Sequence, residues 1–233
     1  MVQQNDHASF LDGIRVDPAV AALRPDFAVL AIVAEGLPAG PADTTAWRML
    51  ERARRAGGAV TEPHVEAWRE AYRAFGAKPG RTRNSLEALL RRGADLPAVN
   101  RLVDIYNAVS VLHRLPVGGE DLDAYVGFPR LVRANGDEPF DTVSAGVPVT
   151  EYAEPGEVVW RDDAGVTCRR WNHRQCVRTR LREDSRRGLF LLERLEPMSI
   201  AALRAAGDEL ISALDPAAVA VRLVGARRGV EVS

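Results

Sequence analysis

The chain changes its periodicity once, near Pro116-Val117-Gly118-Gly119, and that switch limits what it can fold into. Before it, apolar residues recur at three- and four-residue spacing, as one face of a helix requires. After it, short strand-like runs separated by Gly, Pro and Asp continue to about residue 195. Ser199 then opens an amphipathic stretch through about Leu214, which predicts a last helix. A helical first half, a β-rich second half and a helical tail define a mixed α/β (α+β) class. The helices must pack on the sheet core, since neither half alone offers its apolar face a partner. No internal repeat or low-complexity linker interrupts the 233 residues, so a single domain over 1–233 is expected.

Local signals place the pieces. Residues 27–33 form a short apolar run rich in Val and Ile, read as a buried strand ended by Gly36 and Pro38. A helix is expected over about 42–56, closed by Gly57-Gly58. Another is expected from Thr61 as N-cap, with Glu62 and Pro63 in its first turn. Val65, Trp68, Tyr72 and Phe75 form one buried stripe on it. Asn84 or Ser85 caps a short helix carrying Leu86, Leu89 and Leu90, with Arg91 and Arg92 in its last turn. Pro97 opens the next, through about Leu112. There Asn100, Asp104 and Asn107 share one side at helical spacing, beside an apolar face, and are read as fastening the helix to neighbouring backbone.

Charge narrows the partners. The net charge is −1, so no global field draws the protein to nucleic acid or membrane. The distribution is local. Lys78, Arg81, Arg83, Arg91, Arg92 and Arg101 cluster in one stretch, and nine arginines lie in 161–187. No apolar run approaches a membrane span and no signal-peptide pattern opens the chain, so a soluble, cytoplasmic protein without membrane partner is expected. Two cysteines make no disulfide framework.

One stretch breaks the strand grammar. In Cys168-Arg169-Arg170-Trp171-Asn172-His173-Arg174-Gln175-Cys176, indole, amide, imidazole and guanidinium groups follow one another without alternation. It lies between strand-like 157–161, with its turn at Asp162-Asp163-Ala164-Gly165, and strand-like 188–195. A loop carried on a rigid sheet is where binding groups usually sit. Cys168, His173 and Cys176 give only three soft ligands at no familiar zinc spacing, so neither metal nor cofactor is expected. His64 and His113 read as exposed or satisfied helix residues. Ser144-Ala145-Gly146 is not a nucleophile elbow. Phosphate-cradling and dinucleotide glycine loops are absent too.

Five motifs in order carry a resemblance. Arg81-Thr82-Arg83-Asn84-Ser85-Leu86-Glu87-Ala88-Leu89-Leu90-Arg91-Arg92 is followed by Leu96-Pro97-Ala98-Val99-Asn100-Arg101-Leu102-Val103-Asp104-Ile105-Tyr106-Asn107. Pro116-Val117-Gly118-Gly119-Glu120-Asp121-Leu122-Asp123, Arg133-Ala134-Asn135-Gly136-Asp137-Glu138 and Trp171-Asn172-His173-Arg174-Gln175 complete the set. Together they resemble freestanding proteins of the B3/B4 domain family, over a core of about 65–195. Residues 17–64 then form N-terminal strand and helices, and 199–214 the C-terminal helix. The family is named from the phenylalanyl-tRNA synthetase β subunit, whose domain hydrolyses tyrosine wrongly attached to phenylalanine tRNA. The resemblance implies a β-barrel-like core and a small pocket near 171–175. It also makes Asn100, Asp104 and Asn107 framework residues. Two departures stand out: Gly118 occupies the place of a histidine, and the bulky 171–175 stretch replaces a glycine-rich loop.

The expected function is a stand-alone domain that handles tRNA or aminoacyl-tRNA and hydrolyses a mischarged ester, without aminoacylation of its own. Arg174 and Asn172 would be catalytic, supplying donors to the developing oxyanion. Trp171, Gln175, Asp162, Asp137 and Glu138 would hold the aminoacyl group. Arg81, Arg83, Arg91 and Arg92 would touch RNA phosphates. The alternative is a non-catalytic module binding RNA, a free amino acid or another small molecule.

Overall fold

The 27–33 run reads as continuous apolar sequence because its strand is covered on both faces. In the computed structural model, which describes residues 3–38 and 40–225, the elements in chain order are α1 (Gln3–Gly13), β1 (Arg15–Val16), α2 (Pro18–Leu23), β2 (Ala28–Glu35), α3 (Thr44–Ala56), α4 (Pro63–Ala74), α5 (Ser85–Arg92) and α6 (Arg101–His113). There follow β3 (Val117–Asp121), β4 (Arg130–Arg133), β5 (Pro139–Ser144), β6 (Val147–Tyr152), β7 (Val158–Arg161), β8 (Val166–Arg169), β9 (Arg174–Gln175), β10 (Arg187–Arg194), α7 (Ile200–Leu214) and β11 (Ala218–Gly225).

β2 and β10 are the inner strands of a four-stranded sheet ordered β11-β2-β10-β3, antiparallel throughout. Leu30, Ile32, Phe190 and Leu192 point to one face and meet α3, α5, α6 and α7. Val29, Ala31, Val33, Leu189 and Leu191 point to the other. There they meet Trp68 and Tyr72 of α4, Val158 and Trp160 of β7, and Trp171. A strand buried on both faces has no reason to alternate. Each fully buried Val, Leu, Ile or Phe among them contributes about 1.5–3 kcal/mol.

The second sheet runs β1-β4-β7-β8-β9, with β1 parallel to β4 and the rest antiparallel. β5 and β6 form a separate two-stranded ribbon. These sheets are open, so among the described residues the mixed α/β sheet core stands and the barrel-like expectation does not. The second sheet ends at a two-residue strand, too short to wrap round and close.

Helix starts correct two sequence expectations. The α4 N-cap is Glu62 rather than Thr61, with Pro63 at the first helical position where its missing N–H costs nothing. α6 starts at Arg101, not Pro97. Asn100 accepts from the Val103 N–H at 2.9 Å and its own amide donates to Leu181 O at 3.3 Å. Asp104, fully buried, accepts the Val99 N–H at 2.8 Å and so pins the extended 97–100 segment to the helix. Burial raises its carboxyl above the usual range. Asp104→Ala should cost about 1–3 kcal/mol in chemical denaturation, the usual penalty for an orphaned buried donor. α6 lies on the β-rich half, with the Tyr106 and Phe190 rings 6.4 Å apart.

Candidate functional site

The β8–β9 pairing of Arg169 with Arg174 leaves residues 170–173 to reverse the chain. Arg170 and Trp171 do so in the left-handed region, at φ 47° and 67°. Non-glycine residues there cost of order 1–3 kcal/mol each and persist only when their surroundings hold them. Here the Trp171 N–H donates to Val158 O at 2.6 Å, the Arg170 N–H to Glu157 at 2.9 Å and the His173 N–H to Arg169 O at 3.1 Å. The Trp171 indole is fully buried, edge-on to Phe27 at 5.2 Å and Trp68 at 5.4 Å. From outside, the 81–85 segment grips the same loop. Ser85 N–H donates to Asn172 O at 3.1 Å, and His173 Nδ1–H to Arg83 O at 2.7 Å.

Beneath the loop is a cavity of about 140 Å³, between the β3–β10 surface and the β8–β9 end of the second sheet. That is room for several waters or a small molecule. Gly118 forms part of its floor, and a Cβ built there meets nothing within 4 Å. Two buried carboxyls line it. Glu193 accepts from Asn172 Nδ2 and Trp160 Nε1, both at 2.7 Å, while Asn172 Oδ1 accepts the Tyr72 hydroxyl at 2.9 Å. Glu120 accepts from Gln175 Nε2 at 2.7 Å and from the Thr179 hydroxyl. Desolvation pushes Glu120 up to about 8 and Glu193 up to about 7, against the opposing pull of these bonds. Cys168 also lines the cavity and is held as a neutral thiol by burial and the nearby carboxyls. The Ser85 hydroxyl and the Trp171 indole N–H, both at the cavity, have no hydrogen-bond partner among the described residues.

Trp171, Asn172, Arg174 and Gln175 therefore meet at one cavity. Their side chains have different partners. The Arg174 guanidinium reaches the β5–β6 ribbon, bonding Thr142 at 2.5 Å and Glu151 at 3.4 Å and lying 5.4 Å over Phe140. Three acids expected there are elsewhere. Asp162 is fully buried under its own turn, taking Arg178 through both oxygens at 2.8 Å and the N–H groups of Val126, Ala164 and Gly165. Glu138 is buried against the Asn135 and Gly136 N–H groups, at 3.0 Å each, and those bonds hold its carboxyl below the usual range despite burial. Asp137 is exposed on the same turn. All three are absent from the cavity lining because turn geometry has already used or turned away their carboxylates.

The residues that sequence reasoning missed are Glu120 and Glu193. Glu193 carried a signal: an acid directly after the apolar run Leu189-Phe190-Leu191-Leu192, where alternation puts it on the same buried face as Leu189 and Leu191. Arg81 and Arg83 are exposed and make no ion pair among the described residues. Arg81 lines an open groove of about 680 Å³ together with Lys78 and Arg170. Arg83 and Arg91 border a smaller depression of about 240 Å³. Arg91 is partly neutralised by Glu87 at 3.0 Å, and Arg92 is exposed in the last turn of α5.

His173 and the two cysteines form no metal cluster among the described residues. His64 is buried as the neutral ring, donating to Arg114 O at 2.7 Å and accepting the Leu195 N–H at 3.0 Å. His113 pairs with Glu209 at 2.5 Å.

Fold and site together define a mixed α/β domain with a small, carboxyl-lined cavity roofed by a hairpin loop. The sequence model of the B3/4 domain family matches residues 67–206, and the chain belongs to that family. Among solved structures, an N-terminal fragment of the phenylalanyl-tRNA synthetase β subunit from Pyrococcus horikoshii is similar at 14% identity and a TM-score of 0.47. That match covers 90% of this chain and 50% of the fragment, so the chain spans half the length of its neighbour. No curated protein matches the chain. No helix among the described residues is long and apolar enough to cross a membrane.

Proposed function

We propose that the protein handles the aminoacyl end of a transfer RNA and hydrolyses a mischarged aminoacyl ester. The observation that carries this reading is the juxtaposition at residues 170–173. One side of that loop roofs a cavity with two buried carboxyls, and the other is bonded to the segment bearing Arg81 and Arg83. A charged backbone outside and a small acyl group inside would thus be held by one rigid element. Family membership supports the reading.

Ester hydrolysis needs a placed water, a base and donors to the developing oxyanion, not a covalent nucleophile. Glu193, with its carboxyl near neutrality, suits the base, because a pKa close to the working pH balances ionisation against proton affinity. Asn172 orients it. The partnerless Ser85 hydroxyl is the donor best placed to meet an oxyanion. Arg174, committed to Thr142 and Glu151, serves the rim of the cavity.

Deacylation of a panel of mischarged tRNAs tests the proposal. Loss of the aminoacyl ester from at least one of them, abolished by Glu193→Gln, is expected. Binding without hydrolysis would leave a non-catalytic module. For the RNA side, Arg81→Ala with Arg83→Ala should weaken tRNA binding. It should also flatten the salt slope by about 0.7–0.9 for each phosphate that is no longer neutralised. An unchanged slope would place the RNA elsewhere.

A further inference from the structure

The chain pairs its buried carboxylates with arginine. Glu87 has Arg69 and Arg91, Glu157 has Arg169, Glu138 has Arg161 and Asp162 has Arg178. Asp104 has a backbone N–H at a helix start instead. Among the described residues two more buried carboxyls lack an arginine, Glu120 and Glu193: each is bonded only by neutral groups, and, unlike Asp104, both line one cavity. A carboxyl taken out of water without a cation is costly, and a ligand's charge is the natural counterpart.

Their placement says more. Gly118 pairs with Leu191, and Glu120 with Leu189, while the Glu193 N–H bonds to Pro116 O. In an antiparallel ladder, opposed and alternate residues share a face. Glu193 and Glu120 therefore stand on one face, with Gly118 between them. Their backbone positions are about 14 Å apart along the strands, at roughly 3.4 Å per residue. The glycine leaves bare floor midway.

Resting on the aminoacyl reading above, we infer that the cavity takes a diamino acid, with its side-chain ammonium at Glu120 and its α-ammonium at one oxygen of Glu193, the other oxygen being left to take the proton of the attacking water. The carbon chain would lie over Gly118 against Trp160 and Trp171. Both carboxyls are raised, so a dication would release protons as it binds, and affinity would grow as pH rises towards 8. The groups bonded to them or beside them are Cys168, Thr179, Gln175, Asn172 and the indole of Trp160, all neutral; of the charged groups, Arg178 and Asp162, which act on Glu120, are committed to each other, and the Arg174 guanidinium on the cavity rim is committed to Glu151.

Calorimetry on the full chain with free lysine, ornithine, norleucine and Nε-acetyllysine tests this. Lysine or ornithine should bind at least about tenfold more tightly than norleucine. Glu120→Gln and Glu193→Gln should each erase that preference, and Gly118→Val, whose new methyls enter open space, should abolish binding while leaving melting unchanged. Equal binding of norleucine or acetyllysine overturns the inference, as does no heat at millimolar diamine or unaltered binding by Gly118→Val. Hydrolysis of aminoacyl-tRNAs with neutral side chains, without diamine binding, would sink this inference alone. Diamine binding without any deacylation would sink the enzymatic reading alone.

Discussion

Asp162→Ala should destabilise the protein by about 3–5 kcal/mol, enough to remove much of the stability of an ordinary domain. The fully buried carboxylate ends three separate demands at once: the guanidinium of Arg178, the N–H of Val126 from the preceding loop, and the N–H groups of Ala164 and Gly165 in its own turn. Alanine would leave a part-buried cation and three backbone donors without their acceptor. Neighbouring Asp163 is the control. It is half-exposed and pairs with Arg130 at 2.7 Å, so Asp163→Ala should cost less than about 1 kcal/mol. Urea midpoints for the two variants decide the matter. Similar losses would mean that the Asp162 network is not what holds these loops.

Glu193→Gln should change how stability depends on pH. The folded carboxyl lies near 7 and its ordinary value is 4.5. Below 4.5 both folded and unfolded states hold the proton, and the group contributes nothing. Between 4.5 and 7 the unfolded chain gives up its proton and the folded one does not, so stability falls as pH rises. Above 7 the penalty is complete, on the order of 3 kcal/mol for a shift of this size. Glutamine removes that titration. It also supplies one acceptor where the carboxyl has two, a loss of roughly 1 kcal/mol. The variant should therefore be the less stable protein at pH 4 and the more stable one at pH 8, with the two equal near pH 5. Parallel denaturation curves at pH 4, 5, 6, 7 and 8 would show a crossing. A constant difference would mean that Glu193 titrates as an ordinary carboxyl.

What the sequence made legible was local. The switch at Pro116, the Asn84 and Ser199 caps and the run before Glu35 all write their own structure, because each signal and its consequence lie within a few residues. α1, β1 and α2 were not legible. α1 has little amphipathicity, and a two-residue strand exists only by virtue of its partner β4. β11, Ala218–Gly225, has the Val-rich composition of a strand, but its place along β2 comes from a partner far off in sequence. The 171–175 stretch was found because it violates alternation. Glu120 and Glu193 were not, since they come from different strands and meet only after β3 and β10 pair. Asp162, Asp137 and Glu138 were misplaced for the opposite reason. A carboxylate that satisfies its own turn looks, in one dimension, like one that awaits a ligand.

The double coverage of β2 and β10 has a consequence for how the chain finds its alignment. In a strand with one wet face, a slip by one residue throws apolar side chains into water and is rejected at once. Here such a slip would merely exchange Leu30 and Ile32 with Ala31 and Val33 between two greasy compartments. The apolar code is nearly blind to that error, so the polar ends must detect it. At one end Glu35 stands opposite Arg187 and bonds it at 2.5 Å; at the other, Glu193 faces the cavity. A slip of β2 would leave Arg187 with Asp123 alone, and a slip of β10 would carry Glu193 from the cavity to the helix-covered face. These two acids act as the index marks of an otherwise featureless ruler.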